Sequence, residues 1–282
     1  MGGILWLASY PKSGNTWLRA FLANYLADAR APVDINTLPD FAFGDMRSEY
    51  YGQVAGRPGD SLSGEEVNAL RPAVHQFLAG SRPTLTFVKT HTLLTTIDGV
   101  ATITPEATGG AIYVVRNPLD VAVSFAHHYG LGLDEGARAL CFGGLCIEPK
   151  AGHIRQVIGD WSNHVESWIR PPGLPRLTLR YEDLIAAPLG SFARVLEFLQ
   201  LAKDRERLKR AIRHSSFRVL AEQERKSGFV ERSRNADRFF RRGGVGTYRQ
   251  ELSDDLVAML VERHRPMMTE LGYLAADGTL LV

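Results

Sequence analysis

Cysteine is scarce in this sequence of 282 residues, and long apolar runs are missing. The two cysteines, Cys141 and Cys146, are five positions apart, which fits neither a C-x-x-C redox motif nor the paired spacing of a zinc site. We therefore expect reduced thiols, no metal site and a cytoplasmic protein. No apolar stretch approaches the roughly 20 residues that cross a bilayer, and no secretory signal is evident.

A strong excess of one charge is also missing. The formal net charge is +2, with 45% hydrophobic and 23% charged residues, which predicts one globular domain over residues 1–282. Such a balance does not by itself indicate nucleic-acid binding. The basic residues are unevenly placed, however, because 15 of the 33 Lys and Arg residues fall between Lys203 and Arg249. A nucleic-acid-binding protein that uses this tract is a minor alternative.

The segment Leu5–Leu26 combines a short apolar run, a polar turn and apolar residues at helical spacing. This order predicts a strand, a phosphate-binding loop and a helix. Small turn residues let backbone N–H groups approach an anion, and the helix N-terminus adds partial positive charge. Lys12 supplies a full positive charge, and Ser13 and Thr16 supply hydroxyl groups.

The loop differs from a Walker A loop in the position of its lysine. When Gly14-Asn15-Thr16 is aligned with G-K-[ST], Asn15 replaces the lysine and the charge lies upstream at Lys12. The predicted strand Ala111–Val115 also ends without an acid that could serve as a Walker B ligand for Mg²⁺. Both features argue against an ATP-dependent P-loop small-molecule kinase, which is the main alternative function.

Two further predicted strands end in basic residues. Thr84–Thr90 ends in Lys89-Thr90 just before His91, and Ala111–Val115 is followed by Arg116. Ligands of parallel α/β sheets bind beyond the carboxyl ends of the strands, so these side chains could face the loop. The helix predicted at about 118–129, capped by Asn117, places Ser124 two turns beyond Arg116, a combination suited to a phosphate.

The rest of the chain is predicted to be mainly helical. We expect residues 31–64 to form an irregular insertion and residues 227–248 to form a mobile Arg/Gly-rich loop over the ligand site. The other predicted elements are a strand at 176–180 and helices at 63–79 (with a capping box from Ser63 and Glu66), 153–169, 190–201, 204–214, 215–226 and 254–271.

Six separate stretches resemble the cytosolic-type sulfotransferases, in that family's order. They are SYPKSGNTWL (9–18), FVKTH (87–91), VRNPLDVAVS (115–124), RYEDL (180–184), SSF (215–217) and RRGGVG (241–246). The resemblance implies a P-loop-kinase-like α/β fold with a central parallel sheet. It also implies transfer of a sulfuryl group from 3′-phosphoadenosine 5′-phosphosulfate (PAPS) to a small-molecule acceptor, with 3′-phosphoadenosine 5′-phosphate (PAP) as product and no metal.

The resemblance also assigns residues to roles. It implies that His91 is the catalytic base, with Lys89 and Lys12 at the transferring group. The implied donor-binding residues are Lys12, Ser13, Gly14, Asn15, Thr16 and Trp17 at the 5′ end, Arg116, Ser124, Arg241, Arg242 and Gly243 at the 3′-phosphate, and Trp17, Tyr181, Ser215 and Phe217 around the adenine. Transfer is expected to be in-line, and a histidine with an ordinary pKa of about 6.5 suits a base near neutrality.

Some features depart from the family pattern. Asn15 stands where many members have threonine, and Arg242 where lysine is usual. The glycine loop at residues 241–246, here called the late glycine loop, continues as Gly246-Thr247-Tyr248-Arg249. The dimer motif of many animal members is missing from Arg249–Ala258. The phosphate-binding loop begins at Ser9, and such an early position is more typical of bacterial members. The acceptor hydroxyl could belong to a phenol, an alcohol or a sugar.

Overall fold

The computed structural model describes residues 3–282. Its secondary structure is that of an α/β protein in which a five-stranded sheet has the order β2-β3-β1-β6-β9. The strands are β1 (Gly3–Ser9), β2 (Phe43–Gly44), β3 (Leu85–Thr90), β4 (Thr96–Ile97), β5 (Val100–Ala101), β6 (Thr108–Val115), β7 (Cys146–Ile147), β8 (Gln156–Val157) and β9 (Arg176–Arg180). The predicted fold class, a central parallel sheet with flanking helices, is confirmed.

Twelve α-helices occur within the described residues. They are α1 (Asn15–Ala27), α2 (Leu38–Phe41), α3 (Ser48–Ala55), α4 (Gly64–Ala79), α5 (Pro118–Tyr129), α6 (Leu133–Cys141), α7 (Trp161–Ile169), α8 (Tyr181–Ala186), α9 (Pro188–Phe198), α10 (Arg205–His214), α11 (Phe217–Ser227) and α12 (Asp254–Glu270). Among residues 3–282, no helix has the length and apolar character needed to cross a membrane.

The chain forms two compact units, each built from three segments. The first contains residues up to Tyr10, Ala42–Tyr113 and Gly143–Thr178, and the second contains Pro11–Phe41, Val114–Phe142 and Leu179–Val282. The prediction of a single domain over residues 1–282 stays a prediction.

In the first unit, β1 and β3 pair in parallel, and this pairing fixes which residues end each strand together. Leu7 is opposite Lys89 and Ala8 is opposite Thr90, so Ser9 and His91 follow at the same edge. The fully buried Trp6 of β1 meets the edge of His75 on α4 at 5.0 Å between ring centroids. The capping box predicted for α4 from Ser63 and Glu66 is present.

The second unit is organised around α1, whose buried face packs on aromatic residues. Phe21 stacks on Phe192 with 4.0 Å between ring centroids. A second cluster joins α1 to α11 and to the segment after it, through Ala20, Ala23, Leu220 and Phe229. The cap of α5 is the predicted one, because the Asn117 side chain accepts a hydrogen bond from the Leu119 backbone at 3.0 Å.

Two predicted stretches differ from the structure. The helix predicted from His153 begins only at Trp161, because Gly159 has a φ of +70° and Asp160 caps the new helix by accepting from Asn163 N. The stretch 31–64 is less irregular than expected, since it contains β2 and α3. The turn after α3 brings Gly59 so close to the backbone that a Cβ there would lie 1.8 Å from the carbonyl oxygen of Ser48.

Candidate functional site

The phosphate-loop candidate lies at the start of α1, and its backbone has a shape that few residues adopt. Gly14, with a φ of +108°, caps the helix and accepts hydrogen bonds from the backbone N–H groups of Trp17 and Leu18. A Cβ at Gly14 would lie 2.7 Å from the ring of Tyr181, so the glycine is required sterically. Lys12 also has a positive φ, 69°, a conformation that costs a non-glycine residue roughly 1 kcal/mol. Such strain is concentrated at functional sites.

The ammonium group of Lys12 is held by ring contacts. Its Nζ lies 3.7 Å from the centroid of the Phe239 ring and 3.4 Å from Nδ1 of His128. An aromatic face attracts a cation without neutralising its charge. These contacts hold the Lys12 ammonium group beside Phe239 and His128.

Arg116 connects this loop to the late glycine loop. Its guanidinium donates to the carbonyl oxygens of Lys12 (3.3 Å) and Gly244 (2.8 Å). It also lies over the ring of Tyr181, 4.5 Å from the centroid, and the residue is only 7% exposed. Arg116 also interacts electrostatically with Glu182, and guanidinium groups bind phosphates through charge-assisted hydrogen bonds.

Tyr181 is the centre of the aromatic part of this group. Its hydroxyl donates to the Gly243 carbonyl oxygen at 2.7 Å, and its ring meets Trp17 edge-on at 5.7 Å. Gly243 has a φ of +63°, and a Cβ there would lie 2.2 Å from the ring of Phe217. The structure therefore brings Trp17, Tyr181, Phe217 and Gly243 together, and their roles in donor binding stay predictions.

Other predicted residues are arranged differently. The Ser215 hydroxyl donates to the carbonyl oxygen of Ala211 at 2.8 Å, which closes the end of α10. Ser124 lies half-buried on α5. Arg241 and Arg242 lie 2.9 and 3.4 Å from the carboxylate of Glu251, which also bonds His127 at 2.6 Å. Although burial opposes it, the hydrogen bonds from His127 and Arg241 hold the pKa of Glu251 below its usual range.

Several residues that support this group were not recognised from the sequence. Asp120, 1% exposed on α5, accepts from Gly246 N, Thr247 Oγ1 and Tyr248 N at 2.8, 2.8 and 3.0 Å, and so fixes the turn after the late loop. The fully buried Arg19 pairs with Glu231 at 2.6 Å and donates to Thr16 Oγ1 at 3.1 Å. No sequence pattern relates residues more than a hundred positions apart, so a pairing such as Arg19 with Glu231 carried no signal.

His91 and Lys89 lie in the first unit, together with their supporting contacts. The Nδ1 of His91 is 2.7 Å from the carbonyl oxygen of Ser9 and 3.2 Å from its hydroxyl. A carbonyl oxygen only accepts, so Nδ1 carries the hydrogen and the basic nitrogen of the neutral ring is Nε2. The backbone carbonyl of Lys89 accepts from Asp45 N at 3.3 Å, and its side chain is half-buried.

A hydrogen-bonded network fixes the strand end that bears His91. The carboxylate of Asp45 accepts from Thr90 Oγ1 at 2.6 Å and from Thr92 Oγ1 at 3.1 Å. When the Gln156 amide is oriented so that its oxygen faces donors, that oxygen accepts from the backbone N–H groups of His91 and Thr92, at 3.1 Å each. Within residues 3–282, no group of three or more His, Cys, Asp or Glu residues is arranged to hold a metal ion.

Comparison with known proteins assigns the chain to a protein family. The family model described as "Sulfotransferase domain" matches residues 4–272. The chain belongs to this sulfotransferase family. Sulfotransferase 1B1 of Mus musculus is 28% identical over 224 residues, which cover 78% of this chain and 66% of that protein. Luciferin sulfotransferase of Photinus pyralis is 24% identical over 279 residues, which cover 89% of this chain and 68% of that protein.

Solved sulfotransferase-like structures share the fold. Retinol dehydratase, crystallised with androsterone and the inactive cofactor PAP, superimposes with a TM-score of 0.64 and 20% identity, over 95% of this chain and 81% of that one. Mouse sulfotransferase SULT7A1, crystallised with PAP, superimposes with a TM-score of 0.62 and 19% identity, over 96% and 86% of the two chains. The match spans about two thirds of the length of the relatives named above.

Proposed function

We propose that the protein transfers a sulfuryl group from PAPS to a hydroxyl group of a small-molecule acceptor, a phenol, alcohol or sugar. Membership of the sulfotransferase family supports this reaction class. The two fold neighbours crystallised with PAP support the donor. Retinol dehydratase was crystallised with androsterone and, in a second structure, with retinol, and these small organic ligands support a small organic acceptor.

The observation that carries the proposal is the environment of Arg116. This donor has anionic groups at both ends of its ribose, so it needs two separate basic groups. Lys12 with the N-terminus of α1 is the first, and the buried Arg116, held by the Lys12 and Gly244 carbonyl groups, is the second. An ATP site would need only the first.

The polar atoms around the loop also fit an anionic nucleotide. Ser13 Oγ and Trp17 Nε1 are buried and have no hydrogen-bond partner among residues 3–282. Buried polar groups are normally bonded, so a ligand is the expected partner of at least one of them. Arg241 and Arg242 would bind the 3′-phosphate, and part of their present contact with Glu251 would be replaced by contact with that phosphate. Ser124 would add its hydroxyl to the same phosphate.

The chain's own residues would perform the transfer by positioning and charge stabilisation. When bound, the donor supplies a sulfuryl group joined to a phosphate oxygen. His91 Nε2 would take the acceptor's proton as the acceptor oxygen bonds to sulfur. The bond from sulfur to the phosphate oxygen breaks, and that oxygen keeps the electron pair. Lys12 would neutralise this leaving oxygen, and Lys89 would stabilise the sulfuryl oxygens.

The decisive experiment combines nucleotide binding with a transfer assay. We expect the protein to bind PAP more tightly than AMP, which lacks the 3′-phosphate, when the two are compared by calorimetry. We also expect ³⁵S from labelled PAPS to appear in members of a panel of phenols, alcohols and sugars. Equal affinity for PAP and AMP, or phosphorylation of the same panel with ATP and Mg²⁺ in place of sulfation, would contradict the proposal.

A further inference from the structure

The first unit contains a cavity of about 590 Å³ beside α4. This volume is within the range of small-molecule sites, about 300–1,000 Å³. Its wall is formed by the turn before α4, by α4 itself, by the β4–β5 hairpin and by the segment 149–157. None of the residues assigned above to the donor lines it.

Arg71 of α4 lines this cavity although it is only 5% exposed. Its Nε is buried and has no hydrogen-bond partner among residues 3–282. One turn earlier, Asn68 donates to the Ile97 carbonyl oxygen at 2.7 Å, but its own Oδ1 has no partner within the same residues. A buried guanidinium without a bonded acceptor is costly, and buried charges are normally paired.

The hydrogen bonds of the nearby Asp45 carboxylate go to other groups. Asp45 interacts electrostatically with Arg71, but its Oδ2 is used by the hydroxyls of Thr90 and Thr92. Burial raises the pKa of Asp45 to about 6, so this carboxylate is still mostly ionised at neutral pH, but within residues 3–282 it makes no hydrogen bond to Arg71. The fully buried Tyr51 hydroxyl has no partner among the described residues either, and burial raises its pKa to about 12, so it stays neutral.

The other charged side chains that line the cavity are exposed and of both signs, whereas Arg71 is buried. Burial lowers the pKa of His153 at the wall, and the positive charges of Lys150, Lys89 and Arg47 lower it further, against the effect of the Ala151 carbonyl. Arg155 lies at the rim, where it pairs with Glu148 at 3.4 Å. The acids that line the cavity, Asp60, Glu65 and Asp98, are all exposed at the rim, and Asp60 accepts from Gly152 N at 3.3 Å.

The cavity wall is bonded to the strand end that bears His91. Val157 lines the cavity, and its carbonyl oxygen accepts from Leu93 N at 2.8 Å. The preceding residue, Gln156, bonds the backbone N–H group of His91. We propose that this cavity holds the acceptor and that Arg71 pairs with its carboxylate, so that the acceptors are hydroxylated carboxylic acids. This inference rests on the proposed function.

The test compares an acid with its amide of the same shape. The PAP-loaded protein is titrated calorimetrically with 4-hydroxyphenylacetate and with 4-hydroxyphenylacetamide. A hydrogen-bonded charge pair predicts that the wild type binds the acid about 10- to 100-fold more tightly. Arg71→Gln should lose this preference. Lys150→Gln, which removes an exposed cation from the same cavity, should keep most of it.

Equal affinity of the wild type for acid and amide, or binding of neither, would overturn the assignment without any variant. Persistence of the preference in Arg71→Gln would overturn it as well. If Arg71→Gln does not fold, as judged by PAP affinity and thermal unfolding, Arg71→Lys replaces it and should show an intermediate preference. A protein that prefers the acid through Arg71 but transfers no ³⁵S to any acceptor would refute the proposed function while supporting the Arg71 site.

Discussion

The Nε2 of His164 lies 3.0 Å from the backbone carbonyl oxygen of His91. His164 is fully buried on α7, and its Nδ1 lies 2.9 Å from the hydroxyl of Tyr113. Because the carbonyl only accepts, Nε2 donates to it and Nδ1 accepts from Tyr113. His91 in turn bonds Ser9 through its own Nδ1. A neutral, buried histidine therefore helps to hold the backbone of the proposed base.

Acid pH should destabilise the protein through His164. Burial lowers the pKa of this group to about 4, against an ordinary value near 6.5, despite the opposing hydrogen bond to His91. The unfolded chain therefore binds a proton near pH 6.5 while the folded one does not until about pH 4. The stability from the neutral ring is fully present above pH 6.5 and is lost as the pH falls to 4, on the order of 3 kcal/mol.

His164→Gln tests this directly, because glutamine keeps one donor and one acceptor but cannot bind the proton. We expect its urea midpoint to fall less between pH 7 and pH 4.5 than that of the wild type. His214→Gln on α10 is the control: burial and then Arg213 and Arg210 lower the pKa of His214 by less than burial lowers that of His164, so this variant should follow the wild type more closely than His164→Gln does. Parallel pH profiles for His164→Gln and the wild type would contradict the linkage.

Replacement of His91 should separate catalysis from donor binding. Loss of a general base predicts that His91→Ala lowers turnover by about 10²–10⁴-fold. PAP affinity should stay close to the wild-type value, because the residues assigned to PAP do not include His91. Single-turnover transfer from labelled PAPS and calorimetry with PAP measure the two quantities. Undiminished transfer by His91→Ala would remove it from the mechanism.

Local sequence patterns predicted the elements that carry the proposed site. A strand, a glycine-capped loop and an apolar-striped helix are all encoded between Leu5 and Leu26, and the structure has them in that order. The cap by Asn117 and the capping box of α4 could likewise be predicted, since each depends on residues within one helical turn. Apolar periodicity alone placed the start of α7 too early. The positive φ of Gly159 and the cap by Asp160 start the helix at Trp161 instead.

Contacts between distant residues were beyond such patterns. The Glu251 carboxylate bonds three residues. Arg241 and Arg242 are within ten positions of it in the sequence, but His127 is 124 positions away. Asp120 reaches Thr247 across a similar separation. These partners are set by tertiary packing, which one sequence does not encode as a repeat or a spacing. The sequence also could not predict that Nε of Arg71 lacks a hydrogen-bond partner, because this depends on which atoms are buried in the folded chain.

Arg116 should determine selectivity for the 3′-phosphate. Removal of one charged hydrogen-bonding partner predicts that Arg116→Gln weakens PAP binding by about 1.5–3 kcal/mol. AMP binding should change much less, so the ratio of PAP to AMP affinity should collapse. Arg194→Gln, an exposed arginine on α9, serves as the control. If Arg116→Gln kept the wild-type preference for PAP over AMP in calorimetry, the 3′-phosphate assignment would be wrong.

Gly243 should tolerate no side chain, for two reasons that can be separated. A Cβ there would meet the Phe217 ring at 2.2 Å, and the φ of +63° is strained for alanine. Gly56 has a similar φ of +70° but nothing within 4 Å of its Cβ position, so Gly56→Ala should cost only the strain, about 1 kcal/mol. Gly243→Ala must in addition displace Phe217 or the late loop, so it should lose PAP affinity at least 10-fold, whereas Gly56→Ala should not. Equal PAP affinities for these two variants in calorimetry would show that the contact between Gly243 and Phe217 does not shape the donor site.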